Sequence, residues 1–341
     1  MLIHLINNKD VNRGGAQKML ALIHGITGGQ VMCLADSQFT RKPFALFDIY
    51  LKTINQARHA TKVVAHSRMY LPLLFMLRLM GIKTCFYLHA SYRAKPWLFK
   101  LFRANEYIAV SQSAKSYLMA QGISETKISV VYNPLTDAQL LTQPIDILDI
   151  VQKTWLEQLQ SKTIKVFSVG SLHPWKGFKE AIQILDHVAQ NLDIKIVYSV
   201  VGQGPELENL QKQVIKLKSE HLSVKLLGFS KCPYQLVTDA YIQLIPSLEE
   251  GFGLTLIEGM ANNKLILYRQ IPSLHELAEK DPFCFGFDHK IDVIDHLNER
   301  ILIENVFQDK NLLKNRQRAI ELKFSYDNFV TCINDTLMSS Y

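Results

Sequence analysis

The sequence predicts an α/β fold built from two tandem, doubly wound, parallel-sheet domains. Three observations predict it. Short β-rich runs alternate along the chain with amphipathic segments of helical length, the rhythm of a parallel sheet layered with helices. The length, 341 residues, exceeds a usual domain of roughly 100–200 and points to about two domains. The composition, 48% apolar and 20% charged, supplies ample core and excludes a disordered or fibrous chain.

In the first half, strands are predicted at Leu2–Ile6, Gln30–Ala35, Val63–Ala65, Lys83–Leu88, Tyr107–Val110 and Ser129–Tyr132, each a short apolar or β-branched run. Helical periodicity lies between them, as in Ala16–Gly25 and Ser113–Gln121. The second half repeats the rhythm with strands at Lys165–Val169, Lys195–Val201, Val224–Leu227, Ile242–Ile245 and Leu265–Tyr268. Helices there are expected over Phe178–Gln190, Glu206–Glu220, Leu254–Asn262 and Ser273–Glu279. From Asn133 to about Gln160 there is no strong period, and Pro134 and Pro144 occur, so this segment is the candidate linker. The expected domains are 1–150 and 151–341, with the last helix a candidate to cross back onto the first domain. Doubly wound sheets bind ligands beyond the C-terminal ends of their strands, so the site is sought there.

Charge is unevenly placed. The net is +7 overall, but residues 1–150 carry +9 and residues 151–341 carry −2. Between Asp48 and Glu106 no acid occurs while ten Lys or Arg do, which suits a surface that meets an anion such as a membrane, a phosphorylated glycan or nucleic acid. Cys33, Cys85, Cys232, Cys284 and Cys332 are odd in number and far apart, which implies neither a disulfide framework nor a zinc site. The opening MLIHLINNKD reads as a first strand rather than a signal peptide, and no run reaches the ~18 apolar residues of a membrane span. The expected compartment is the cytoplasm.

The densest chemical signal is Pro246-Ser247-Leu248-Glu249-Glu250-Gly251-Phe252-Gly253-Leu254-Thr255-Leu256-Ile257-Glu258. A strand ends, glycines allow a close turn, and a helix begins near Leu254. The first amides of a helix have no intrahelical partner and form an anion site. Two carboxylates, Glu250 and Glu258, bracket that site with seven residues between them. The amides suit a diphosphate and the carboxylates suit sugar hydroxyls. The plainer alternative is a strand–turn–helix junction with solvated glutamates.

These residues resemble the E-x7-E signature of the retaining glycosyltransferases of family 4, which have the GT-B fold: two Rossmann-like domains facing a cleft. Other segments resemble that family in the same order. They are the glycine loop Gly14-Gly15, then Val110-Ser111, Val131-Tyr132-Asn133-Pro134, Val169-Gly170-Ser171 with Lys176-Gly177, Val201-Gly202-Gln203-Gly204, and Leu227-Gly228-Phe229. The resemblance implies that Lys176 binds the donor phosphates and that Glu258 accepts from the ribose hydroxyls. It implies that Glu250 orients the donor sugar, and that Gly253, Leu254 and Thr255, next to Phe252, offer backbone amides. Gly15 would approach the phosphates from the first domain, and Phe229 would lie near the base. Three departures stand out. Ser171 replaces an arginine, Gly259 replaces the alanine of Glu-Ala-Met, and Asn262-Asn263-Lys264 replaces a glycine before the next strand. The first leaves Lys176 as the main candidate cation for the diphosphate.

His66 and His89 follow predicted strands, so both are candidates to face the cleft. The resemblance favours His89 beside the donor sugar and acceptor, while His66 reads more simply as a hydrogen-bonded structural histidine. His173, in the Ser171–Lys176 loop, is a lesser phosphate candidate. No Asp-x-Asp occurs, so no metal site and no cofactor are expected, the nucleotide sugar being a substrate. GxSxG, HExxH, a Walker lysine loop and a dinucleotide fingerprint are also missing.

Within the acid-free stretch, Lys95, Trp97, Phe99, Lys100 and Arg103 combine bases with aromatics behind the apolar run Met69–Met80. Such segments insert into anionic interfaces, and the alternative is a core helix with a basic edge. The resulting expectation is a membrane-peripheral enzyme on the inner face of the cell membrane. It would move a hexose or N-acetylhexosamine from a nucleotide diphosphate, UDP by preference, to a lipid-linked or lipopolysaccharide-type glycan. The rivals are a sugar-nucleotide epimerase of similar fold and a basic nucleic-acid-binding protein. The latter lacks RRM, KH and helix-turn-helix signatures, so nucleic acid is not an expected partner.

Overall fold

The computed structural model describes residues 1–11, 15–37, 41–90, 95–135, 157–158, 160–297 and 310–338. The chain divides into two compact units, Met1–Pro134 with Tyr326–Tyr341, and Leu135–Ser325.

The first unit runs β1 (Leu2–Ile6), α1 (Gly15–Thr27), β2 (Gln30–Cys33), α2 (Lys42–Ala57), β3 (Lys62–Ala65), α3 (Leu71–Leu79), β4 (Thr84–Leu88), α4 (Trp97–Leu101), β5 (Glu106–Ala109), α5 (Gln112–Ala120) and β6 (Ile128–Val130). All six strands are parallel, in the order β2-β1-β3-β4-β5-β6. Every residue of β1, β3 and β4 is buried, because helices cover both faces of a parallel sheet. That is why these strands read as unbroken apolar runs. Local chemistry sets the helix starts. Ser111 accepts from the Ala114 amide (3.0 Å) to cap α5, and prolines sit in the first turns of α2 and α3.

The second unit runs β7 (Thr163–Val169), α6 (Phe178–Leu192), β8 (Lys195–Val201), α7 (Leu207–Lys216), β9 (Leu222–Gly228), β10 (Ile242–Ile245), α8 (Leu254–Ala261), β11 (Leu265–Arg269), α9 (Pro272–Ala278), β12 (Cys284–Phe287), α10 (Lys290–Asp295) and α11 (Lys310–Lys323). Its parallel sheet has the order β12-β11-β10-β7-β8-β9. On α6, Phe178, Ala181, Ile182, Leu185, Val188 and Ala189 recur at helical spacing and form its buried stripe. The last helix, α12 (Tyr326–Ile333), belongs to the first unit. There the buried Lys62 ammonium donates to Glu106 (2.7 Å) and to the carbonyl of Thr336 (3.0 Å), which pins the C-terminal segment to β3.

The strand β12 departs from the sequence expectation. Gly286 interrupts its aromatic alternation and Asp281-Pro282 precede it, so the run reads as loop. Tertiary pairing with β11 makes it a strand, and Gly286 leaves room for the Tyr268 hydroxyl, 3.1 Å from where a Cβ would sit. Most of the candidate linker lies outside the described residues.

Strand order dictates where each unit can bind. In the second unit the chain winds one way from β7 to β9 and the other way from β10 to β12, so the switch point lies between β7 and β10. In the first unit the reversal lies between β1 and β3. Neighbouring connections leave to opposite faces at such a point and open a crevice at the strand ends.

Candidate functional site

The crevice of the second unit begins as a fork. β7 and β10 pair only at Ile242 with Val166 and Gln243 with Phe167, although both strands run on. Beyond that point the buried Ser168 hydroxyl takes over, donating to the Leu244 carbonyl (2.5 Å) and accepting from the Tyr198 hydroxyl (2.8 Å). The loop after β7 carries Ser171, His173, Trp175 and Lys176, and the loop after β10 carries Ser247 to Gly253.

The two loops are joined across the fork. The Lys176 ammonium forms an ion pair with Glu250, whose same carboxylate oxygen accepts from the Ser247 hydroxyl (3.0 Å). The Glu250 carbonyl accepts from the Ser273 hydroxyl (2.9 Å), and the Leu248 amide donates to the Trp175 carbonyl (2.8 Å). Lys176 and Glu250 are largely shielded, their side chains 17% and 13% exposed, so the pair is held rather than solvated. Gly177 makes the approach possible. Its φ is +72°, and a Cβ would lie 2.2 Å from the Pro246 carbonyl oxygen, so a side chain would wedge the loops apart.

Helix α8 starts at Gly253, whose φ of +105° is left-handed. Leu254 and Thr255 form its first turn, where amides point out of the helix toward the loop. Glu258 lies one turn further on and is 6% exposed. Its charge and, above all, burial drive the Tyr234 hydroxyl well above its ordinary pKa. Tyr234 donates to the Thr255 carbonyl (3.0 Å), which the buried Gln243 amide also reaches (2.9 Å). A buried carboxylate beside a positive helix end, with a lysine across the fork, can hold a diol and a diphosphate together.

Two departures from the family pattern have local causes. A Cβ on Gly259 would sit 1.9 Å from the Gln243 side-chain oxygen, so the buried glutamine occupies the space an alanine methyl would need. Asn263 has φ +52° and ends α8 in place of a glycine. The Lys264 amide donates to Gly259 (2.9 Å) and the Asn263 amide to Met260 (3.1 Å), a Schellman closure that asparagine tolerates. Ser171 sits where an arginine was expected, and nothing in the structure explains that exchange.

Other candidates fall variously. Phe229 follows β9 and is exposed, as a base-facing aromatic requires. The Phe252 ring is buried and packs edge-on against Phe324 at 5.9 Å, so it anchors the loop and offers the site only backbone. His173 stacks on Trp175 at 4.2 Å, and burial followed by the nearby Lys176 charge lowers its pKa. Gly15 opens α1 in the first unit, and Gly14 lies outside the described residues.

In the first unit His66 and His89 do come together, and with a residue that sequence reasoning missed. His66 Nδ1 is 2.9 Å from His89 Nε2, and His66 Nε2 is 3.2 Å from Nδ1 of His4, a fully buried residue of β1. Burial lowers all three, His4 to about 4, His89 to about 3, and His66 well below the ordinary value. A histidine inside the otherwise apolar LIHLI was the available signal.

The basic segment needs correction. Phe99 is fully buried, edge-on to Phe86 (5.1 Å) and Tyr117 (5.9 Å), so it is a core residue and no part of a surface patch. Arg103 turns to the end of α5, donating to the carbonyl of Gly122 (2.5 Å), where a cation meets the negative helix end. Lys95, Trp97 and Lys100 remain exposed, and Leu101 joins them. Arg93 and Ala94 lie outside the described residues. Among the described residues no helix is long and apolar enough to cross a membrane.

Comparison with known proteins follows this geometry. Residues 20–139 match the family described as Glycosyltransferase Family 4, and residues 152–319 match Glycosyl transferases group 1. The O-antigen biosynthesis glycosyltransferase WclY of Escherichia coli is 27% identical over 226 residues, 63% of this chain and 58% of that protein. The O-antigen chain mannosyltransferase RfbU of Salmonella typhimurium is 23% identical over 241 residues, 70% of this chain and 61% of that one. The chain thus spans about six-tenths of the length of these curated relatives. The crystal structure of HepE from Anabaena in complex with UDP has a TM-score of 0.77 at 19% identity, covering 99% of this chain and 100% of that one. A glycosyltransferase from Rickettsia africae gives 0.73 at 17% identity, covering 99% of each chain. Two parallel six-stranded sheets, these whole-chain structural matches and the two adjoining family matches agree: the chain belongs to the family 4 glycosyltransferases of GT-B fold.

Proposed function

We propose that the chain is a retaining glycosyltransferase that moves a hexose or N-acetylhexosamine from UDP to a hydroxyl of a lipid-linked or lipopolysaccharide-type glycan. The observation that carries this reading is the fork between β7 and β10, where Lys176, Glu250 and the start of α8 meet with Glu258 one turn beyond. Two relatives named for O-antigen biosynthesis support the acceptor class, and the UDP complex of HepE supports the nucleotide.

In this reading Glu258 accepts from the ribose hydroxyls, while the amides of Gly253, Leu254 and Thr255 take the diphosphate. Lys176 stabilises the charge that grows on the departing phosphate, and Glu250 holds that ammonium in place while orienting the sugar. Gly15 and His89 serve the same reaction from the first unit, with His89 beside the sugar and acceptor. No enzyme nucleophile is positioned at the fork. Attack is therefore assigned to the same face as departure, with the leaving phosphate taking the acceptor proton. The reaction is proposed to need no metal, since no Asp-x-Asp is present to carry one. The exposed Lys95, Trp97, Lys100 and Leu101 are proposed to seat the enzyme on the anionic inner face of the cell membrane, where such acceptors lie.

The test is thermal unfolding with a panel of nucleotide sugars. UDP-sugars should raise the midpoint, and UDP alone should do so in the wild type but not in Glu258→Ala. Equal protection of both proteins by UDP would remove Glu258 from the nucleotide site.

A further inference from the structure

The three histidines of the first unit form one hydrogen-bonded line, and the line has a direction. It starts at Thr27, the last residue of α1. The Thr27 hydroxyl donates its single proton to the Ile23 carbonyl one turn back (2.8 Å), much closer than the next acceptor, the Gly28 carbonyl (3.4 Å). Its oxygen therefore accepts from His4 Nε2, 3.2 Å away, so the His4 proton sits on Nε2. A neutral imidazole with Nε2–H has a bare Nδ1, which accepts from His66 Nε2 (3.2 Å). By the same rule His66 Nδ1 is bare and accepts from His89 Nε2 (2.9 Å). Each ring hands the same orientation to the next.

One ring nitrogen remains at the end of the line. Among the described residues His89 Nδ1 has no hydrogen-bond partner, while both nitrogens of His4 and of His66 are engaged. The rings are held by more than these bonds. His89 stacks on Tyr87 (4.6 Å) and on His66 (5.2 Å), and His66 stacks on Tyr87 (5.4 Å). The line crosses from β1 to the ends of β3 and β4, and so runs along the switch point of this sheet toward its binding edge.

We propose that Thr27, His4 and His66 are positioning residues that hold His89 as its Nε2–H tautomer, so that Nδ1 presents a lone pair to a substrate hydroxyl. This rests on the reading that His89 serves the transfer site. The alternative tautomer would offer that hydroxyl an N–H, a donor facing a group that must itself donate. Reaching it requires every ring to exchange its proton position and Thr27 to surrender its bond to Ile23. Neutral rings are essential to the device, since a protonated ring would donate from both nitrogens and erase the polarity.

The experiment is two-bond ¹H–¹⁵N correlation on the ¹⁵N-histidine-labelled full chain near neutral pH, which distinguishes protonated from bare ring nitrogens. The wild type should show His89 with bare Nδ1. His66→Gln should keep that state, because an amide oxygen can accept from His89 and its NH2 can donate to His4. His66→Leu should give His89 mixed tautomers, and Thr27→Val supplies the same loss at the other end should the leucine variant fold poorly. UDP release from UDP-glucose, UDP-galactose and UDP-N-acetylglucosamine should fall about tenfold in kcat in the leucine and valine variants, with donor KM unchanged, the weight of one well-placed hydrogen bond. The glutamine variant should retain the wild-type rate. A wild-type His89 carrying its proton on Nδ1 would overturn the proposal alone, as would a His89 tautomer unmoved in both broken variants. Tautomers that respond as stated, with His89→Ala turning over at the wild-type rate, would overturn it through the catalytic reading of His89.

Discussion

Lys176 and Glu250 neutralise each other across a gap that a single backbone contact at Gly177 keeps narrow, and their pairing sets the clearest residue-level test. Lys176→Ala should lower transfer by about 10²-fold or more, as loss of a preorganised charge stabiliser does. Steady-state kinetics on the variant checks this, and a change of less than about threefold would mean that the helix start alone carries the phosphate charge. Glu258→Ala should weaken UDP binding by roughly 1–3 kcal/mol, because a buried hydroxyl pair loses its acceptor, whereas Glu250→Ala should spare UDP itself. Isothermal titration separates the two. The histidine line predicts a pH dependence of stability. His4 and His89 have folded pKa values of about 4 and about 3, below the unfolded value near 6.5. Below that value the unfolded chain binds protons that the folded chain refuses, so stability is full above about pH 6.5 and falls with acid. The slope is up to about 1.4 kcal/mol per pH unit for each histidine, ending near pH 4 for His4 and near pH 3 for His89. Urea midpoints at pH 7 and pH 5 measure it, and His4→Asn should flatten the slope.

At the scale of elements, α8 and β10 are fitted to each other through one missing methyl. Gly259→Ala should gain up to about 1 kcal/mol of helix propensity yet destabilise overall, because the methyl would displace the buried Gln243 and break its bond to the Thr255 carbonyl. Combining it with Gln243→Ala should recover about 1 kcal/mol relative to the sum of the single changes, a coupling that denaturation of all four proteins reads directly. Simple additivity would mean the two positions do not share that space. Gln243 and Ser168 also show what sequence alone hides. Each reads as an ordinary polar residue in a strand, and only the divergence of β7 from β10 gives it a task. Eleven of the twelve strands were legible because buried parallel strands are apolar without interruption. The twelfth, β12, was not, since Gly286 breaks its pattern and pairing with β11 alone decides it. Lys176, Glu250 and Glu258 were legible through the spacing of a resembled motif. His4 was not, because what it touches lies 62 residues away at His66.

At the scale of the whole molecule, charge asymmetry, an exposed tryptophan and an acceptor class that resides in membranes converge on one expectation. Vesicles rich in anionic lipid should sediment the protein and neutral vesicles much less. The difference should shrink with salt, as screening over ~8–10 Å predicts. Charge reversal at Lys95 and Lys100 should release the protein, and Trp97→Ala should weaken attachment even at low salt. Reversal at Arg103 belongs to another experiment, because its guanidinium holds the end of α5 and its loss would disturb folding. Equal sedimentation with both lipids would return the segment to a role in packing. Transfer should also survive EDTA, and loss in chelator with recovery in Mn²⁺ would contradict the metal-free mechanism. The central claim is that the β7–β10 fork holds a UDP-sugar for transfer with retention. The most direct measurement is ¹H NMR of the product formed from an α-linked UDP-sugar and a lipopolysaccharide-type acceptor. An α-linked product lost in Lys176→Ala is the predicted result, and a β-linked product, or an α-linked one undiminished in that variant, would contradict the account.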